Sequence, residues 1–167
     1  MAEFEFDEAP LDPSRHDRAA FGCGTPALDD YLHRYADQHR RRGIASVFVL
    51  TPTGESSRIL GFYTLSAAEV DTTHLSATDR RKLPRYPVPC FRMGRLACHS
   101  DLRGQGLGRL LLGCAVDRCL KASAQVAAYA LIVDAKNPAA KAFYEHHGFT
   151  AFAQQPLSLY LPLRRPA

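Results

Sequence analysis

The run from about Cys90 to Ala97 reads as a strand, and from Leu107 apolar residues recur at helical spacing. Between them lies Arg103-Gly104-Gln105-Gly106-Leu107-Gly108. A glycine-rich turn from strand into helix lets several backbone N–H groups converge at the positive end of the helix dipole, where an anion is favoured. Glycine lacks the Cβ that keeps the backbone away from phosphate oxygens, and Arg103 and Arg109 can add charge-assisted contacts. A structural turn without a ligand is the alternative. The helix is followed by the unbroken apolar run Tyr129 to Val133, the pattern of a central strand buried on both faces. Strand, loop, helix and strand then make a right-handed βαβ unit with a parallel pair. No GxxxxGK[ST] motif occurs, and the loop lies past mid-chain without the early acidic partner of a dinucleotide fold. Nucleotide hydrolysis and hydride transfer are therefore not indicated.

The rest of the chain supplies a frame. Phe4 and Phe6 alternate with acidic residues as an opening strand. Thr25 caps a helix with Pro26 at its first position, an apolar stripe of Leu28, Tyr31, Leu32 and Tyr35, and a stop at Gly43. Ile44 to Thr51 and Ile59 to Ala68 read as an antiparallel pair around Pro52, Thr53 and Gly54. Ser76 caps a short polar helix ending before Pro84, after which Pro84, Pro87 and Pro89 keep the entry to the next strand extended. Leu107, Leu110, Leu111, Cys114, Ala115 and Cys119 form the core-facing stripe of the helix after the loop. A further helix, about Pro138 to His147, stops at Gly148 and precedes strands near Phe149 to Ala153 and Leu157 to Leu161.

At 167 residues, one packed domain is expected. Hydrophobic residues are 46% and charged residues 23% of the chain, which excludes disordered and fibrous classes. Neither a leader's apolar core nor a run of about eighteen uncharged apolar residues is present. The cysteines Cys23, Cys90, Cys98, Cys114 and Cys119 are odd in number, which suits reduced thiols and a cytoplasmic address. Their spacing matches no zinc motif, so no metal is expected. The formal charge of +4 favours a polyanionic partner without requiring one.

Arg103, Gly106 and Gly108 match the [Gln/Arg]-x-x-Gly-x-[Gly/Ala] signature of the GNAT acetyltransferase superfamily, which the chain resembles. Asn137-Pro138-Ala139-Ala140-Lys141-Ala142-Phe143-Tyr144-Glu145-His146-His147-Gly148-Phe149 is similar to that family's later motif, in the expected order and distance. The resemblance implies a mixed α+β fold: a twisted, mostly antiparallel sheet of about six or seven strands, flanked by about four helices and formed as a single domain over residues 1–167. It implies acetyl-CoA as donor, with the diphosphate on residues 103 to 108 and the pantetheine arm along the backbone of Leu96, Ala97 and Cys98. Asn137 and Phe143 would also contact the cofactor, and Tyr144 would protonate the departing sulfur. Read on their own residues, Asn137-Pro138 is also a helix start and Tyr144 also a packing aromatic.

Acetyl transfer from a thioester needs a neutral amine, a polarised carbonyl and a proton for the thiolate. Glu69 and Glu145 are possible bases, but each also reads as a solvated side chain. An α-amine titrates near ~7.7 against ~10.4 for lysine, so an α-amine acceptor needs no dedicated base. Cys98 with His99, and His146 with His147, do not read as nucleophile and base, because adjacent strand residues face opposite ways and helix-terminal histidines usually face water.

Phe21 to Leu32, Pro87-Val88-Pro89, Gly94-Arg95-Leu96-Ala97 and the closing Leu157 to Leu163 resemble a narrower GNAT branch, the acetyltransferase toxins of bacterial toxin-antitoxin modules. That resemblance implies acetylation of the α-amine of aminoacyl-tRNA and arrest of translation. It also implies a homodimer and a ribbon-helix-helix antitoxin, through which alone DNA is bound. Basic clusters at Arg34, Arg40, Arg41 and Arg42, at Arg80, Arg81, Lys82 and Arg85, at Arg92 and Arg95, and at Arg164 and Arg165 are candidate tRNA contacts or solvated faces. Arg92 and Arg95 are an odd number of residues apart, so one at most faces a given side of the strand. Transfer to a small amine or a protein N-terminus is the enzymatic alternative, and a non-catalytic acyl-CoA- or RNA-binding module is the alternative of another class.

Overall fold

The computed structural model describes residues 5–163; Phe4, Arg164 and Arg165 lie outside them. Seven strands form one sheet in the order β1-β2-β3-β4-β5-β7-β6: β1 Phe6–Pro10, β2 Ser46–Pro52, β3 Gly61–Val70, β4 Val88–Cys98, β5 Ala130–Asp134, β6 Thr150–Ala151 and β7 Ser158–Pro162. Pairings β1–β2, β2–β3, β5–β7 and β6–β7 are antiparallel, and β4–β5 is parallel. The expected α+β architecture is the one observed, with β4 and β5, on either side of the loop and its helix, paired in parallel. The chain divides into two compact units. One holds the described residues up to Ser66 with Arg95–Ala115; the other holds Ala67–Gly94 with the described residues from Val116 onward.

In the first unit, α1 (Pro26–Asp30), a π-helical turn (Tyr31–Tyr35) and α2 (Ala36–Arg41) follow one another without a break. The sequence predicts one regular helix here, and the π turn interrupts it. Thr25 occupies the N-cap, but no side-chain capping bond forms; Asp29 instead accepts from the Cys23 amide at 2.8 Å. Tyr31, Leu32 and Ala36 bury against Val47, Val49, Phe62 and Ala97, so this helical body covers one face of β2 and β3. Tyr35, expected in the stripe, is 46% exposed. The β2–β3 link runs from Thr53 to Leu60 and is longer than a tight hairpin; β2 instead carries Pro52 into register with Phe6 of β1. Gly61 opens β3 where a Cβ would lie 3.0 Å from the Ala97 carbonyl and 3.1 Å from the Leu111 side chain. Only glycine lets these elements approach so closely.

Helix α4 spans Leu107–Ser123. Its buried residues are Leu107, Leu111, Leu112, Ala115 and Cys119. Leu110, assigned by the sequence to the buried stripe, is 37% exposed, and Leu112 takes its place. In the second unit, Ser76 caps α3 (Ala77–Arg80) by accepting from the Asp79 amide, as expected. Val88, Cys90, Ala130, Ile132, Phe152 and Tyr160 share a core with Val70 and Leu75. Asn137 caps α5 (Pro138–His146), and Gly148 ends its last turn with φ +92°.

Candidate active site

The loop residues that the sequence singles out sit at the N-terminus of α4. Gly104 and Gly106 both adopt φ +78°, a region that disfavours any residue with a Cβ. No atom lies within 4 Å of where a Cβ would stand on either glycine, so the loop backbone is open above them. The Gly106 carbonyl accepts from Leu110 at 3.2 Å, which makes Gly106 the first residue of the helical hydrogen-bond pattern. The N–H groups of the first turn have no intrahelical acceptor and are available to an anion. Open backbone, left-handed glycines and a helix N-terminus of 17 residues fit a diphosphate.

Arg103 does not simply extend toward this opening: its Nη2 donates to the Cys23 carbonyl at 2.7 Å and ties the loop to the segment before α1. Arg109 is exposed. Leu96 and Cys98 are half-buried and Ala97 is buried in the final turns of β4. Beside the loop, Leu102, Gln105 and Leu107 line a cavity of about 140 Å³ with Phe6, Pro52 and Leu60. Glu5, Glu55 and Arg58 also stand in its wall. Burial pushes the Cys98 thiol up to about 11, and the His99 ring accepts from the Asp101 amide at 3.2 Å, capping the turn that follows β4. Neither is arranged as a nucleophile and its base.

In the other unit, Tyr144 is 7% exposed on α5, with its ring 5.3 Å from Phe143 and 5.4 Å from Phe149. Phe143 is half-buried and stands 4.8 Å from the His147 ring. Asn137 accepts from the Ala140 amide at 2.8 Å. One lone pair of its oxygen is thus used in capping, which leaves the second lone pair and the amide N–H groups for a ligand.

The basic clusters differ in what they already hold. Arg34 pairs with Asp30, and Arg40 and Arg41 pair with Asp37; the Gln38 amide oxygen faces Arg42. Arg95 lies over the Tyr31 ring, and Arg92 pairs with Asp134. Arg80, Arg81, Lys82 and Arg85 are exposed beside Tyr86, itself 68% exposed. Asp79, the acidic residue nearest them in sequence, instead turns to the Tyr160 hydroxyl at 2.6 Å. Two residues escaped sequence reasoning. Tyr86 carries an aromatic face next to Arg85, and Asp134 ends the parallel strand next to the helix that bears Tyr144.

The parallel β4–β5 pair, the left-handed glycine loop opening a long helix and the buried tyrosine on the following helix are each where the sequence predicts them for an acyl-CoA-dependent transferase. The acetyltransferase (GNAT) domain model matches residues 54–151. A Mycobacterium tuberculosis (strain H37Rv) protein named tRNA-acetylating toxin is 35% identical over 89% of this chain and 87% of its own. Among solved structures, AtaT complexed with acetyl-methionyl-tRNAfMet superposes with TM-score 0.88 and 28% identity, covering 95% of both chains. A tyrosine-to-phenylalanine mutant of AtaT bound to the C-terminus of the antitoxin AtaR gives TM-score 0.81 and 26% identity, covering 95% of this chain and 93% of that one. The chain belongs to the GNAT acetyltransferase family and is an N-acetyltransferase.

Proposed function

We propose that this enzyme is the toxin of a toxin-antitoxin module and transfers the acetyl group of acetyl-CoA to the α-amine of aminoacyl-tRNA. The observation that carries this reading is the 35% identity, across 89% of the chain, to a protein named tRNA-acetylating toxin. Blocking that amine prevents peptide-bond formation and arrests translation. The neutralising partner is a ribbon-helix-helix antitoxin through which DNA is bound, the working form is a homodimer, and the address is the cytoplasm. Among the described residues no helix is long and apolar enough to cross a membrane. The whole chain acts as one acetyltransferase domain.

Acetyl-CoA supplies an activated acetyl thioester and a thiolate leaving group. The backbone N–H groups of Arg103 to Gly108 hold the diphosphate, with Arg109 adding charge. The backbone of Leu96, Ala97 and Cys98 pairs with the pantetheine arm, and Asn137 and Phe143 line its course. Tyr144 protonates the departing sulfur. Its burial among aromatics keeps water from competing for that proton. Exposed Arg85, with Arg40, Arg41 and Arg42, steers tRNA phosphates. Arg92 and Arg95 are further candidate tRNA contacts, each already engaged within the chain, as Arg40 and Arg41 are with Asp37.

Induced expression of the wild type and of Tyr144→Phe in a bacterium tests this reading. Growth arrest and acetylated aminoacyl-tRNA are expected only with the wild type. Arrest by the wild type without acetylated tRNA would remove the proposed substrate.

A further inference from the structure

The ladder between β4 and β5 runs from Cys90↔Ala130 to Met93↔Val133 and stops there. One residue short of that end on β4 is Arg92, and one residue past it on β5 is Asp134. Partners across a ladder share a face, and alternate residues along a strand return to it. Cys90, Arg92, Ala130, Ile132 and Asp134 are therefore on one face, joined through the β5–β7 register by Tyr160 and Ser158. Along this face the apolar core of Cys90, Ala130, Ile132 and Tyr160 gives way to a polar group. Asp134 Oδ2 receives Arg92 Nη1, and Asp134 Oδ1 receives the Ser158 hydroxyl at 2.8 Å. The carboxylate is held from two strands yet stays 52% exposed.

Tyr144 stands on the other side. Leu161 alternates with Tyr160, and Gly148, which ends α5, lies with its Cβ position 3.8 Å from the Leu161 side chain. The helix bearing the proton donor thus packs on the Leu161 face of the sheet. The opposite face presents Asp134 at the end of the ladder, half exposed and with three residues between it and the helix that bears Tyr144.

We infer that Asp134 accepts a hydrogen bond from the neutral α-amine of the acceptor, with Arg92 and Ser158 as positioning residues. The inference rests on the aminoacyl-tRNA reading and adds a specificity determinant to it. A carboxylate has about four lone-pair directions. Arg92 and Ser158 occupy one on each oxygen, and the exposed remainder points a free acceptor at an amine. Arg92 also offsets the carboxylate charge, so the amine is oriented without being locked in its charged form, which cannot attack a thioester. An N-blocked or deacylated acceptor gains nothing at Asp134.

The test uses bulk charged bacterial tRNA and the same tRNA after deacylation. Wild type, Asp134→Asn and Ser158→Ala are compared for transfer kinetics, with acetyl-CoA uptake measured by calorimetry. Asp134→Asn keeps the shape of the side chain. It is expected to raise KM for charged tRNA roughly ten- to a hundredfold, the loss of one charge-assisted hydrogen bond, with kcat changed by less than about threefold on that scale. Deacylated tRNA is expected to bind both proteins equally, and acetyl-CoA uptake to be unchanged. Ser158→Ala, which leaves the carboxylate, is expected to give a smaller rise in KM. An unchanged KM in Asp134→Asn overturns the inference while leaving the tRNA reading standing. Equal weakening for charged and deacylated tRNA also overturns it, because the amine would then not be what Asp134 reads. If the wild type itself transfers nothing to charged tRNA, the functional reading fails first and the inference falls with it.

Discussion

The guanidinium of Arg95 lies 3.5 Å from the centroid of the Tyr31 ring, which joins β4 to the π turn of the first helical body. Tyr31 is itself stacked on Phe62 with centroids 6.3 Å apart, and its hydroxyl is 3.1 Å from His39 Nδ1. Burial of this ring pushes the phenol pKa up, against the opposing charge of Arg95. A cation over a buried phenol is therefore part of the packing of the unit. Arg95→Gln is expected to lower unfolding stability by about 1 kcal/mol, read as a lower denaturant midpoint. Acetyl-CoA affinity is expected to stay unchanged. A variant as stable as the wild type would show that Arg95 is free for another partner.

The loop glycines separate binding from folding. Both Gly104 and Gly106 have φ +78° with open space where a Cβ would be, so alanine adds strain without a clash. Gly104→Ala and Gly106→Ala are each expected to cost about 1–2 kcal/mol or to relax the loop out of its left-handed turns. Either outcome weakens acetyl-CoA uptake by roughly tenfold or more, measured by calorimetry on folded protein. Undiminished uptake by both variants would place the diphosphate elsewhere.

Local signals carried much of this architecture. Residues 129–133 were legible as a central strand because β5 is buried on both faces, leaving Ala130 to Val133 without alternation. The capping roles of Ser76 and Asn137 were legible because a cap depends on neighbours three residues away. Three features depend on distant contacts and left no such trace. The π turn at Tyr31 coincides with the residue that Arg95 covers from β4. The run Leu110-Leu111-Leu112 offers more than one helical stripe, and only packing selects Leu112 over Leu110. Asp134 became visible as part of a group only when the β4–β5 and β5–β7 registers brought Arg92 and Ser158 to it. The glycine loop was readable as backbone geometry, whereas the commitment of the Arg103 side chain to Cys23 was not.

Tyr144→Phe removes one hydroxyl and keeps the ring packing with Phe143 and Phe149. Loss of a general acid lowers turnover on the order of a hundredfold or more. The expected result is therefore a fall in kcat of that size, with acetyl-CoA affinity and thermal midpoint close to wild type. A comparable fall in donor affinity would mean that the hydroxyl binds rather than donates a proton.

The half-buried Cys98 and the buried Cys119 give a stability signature in alkali. Burial pushes Cys98 up to about 11 and Cys119 up to about 12, from an ordinary value of 9.0. In the unfolded chain these thiols lose their protons near 9, while in the folded chain they keep them. Protonation in the folded state therefore adds stability that is fully present below about pH 9. It is lost as pH rises from the unfolded pKa through the folded values of about 11 and about 12, because the unfolded state binds fewer protons over that range. Urea midpoints measured between pH 8 and about 10.5 are expected to fall, and Cys98→Ala with Cys119→Ala is expected to flatten that fall. The same burial predicts slow reaction of both thiols with iodoacetamide in the native protein at pH 8, and rapid reaction once it is unfolded. Fast native-state labelling of Cys98 would mean that its thiolate is accessible, and the inert assignment next to the end of β4 would fail.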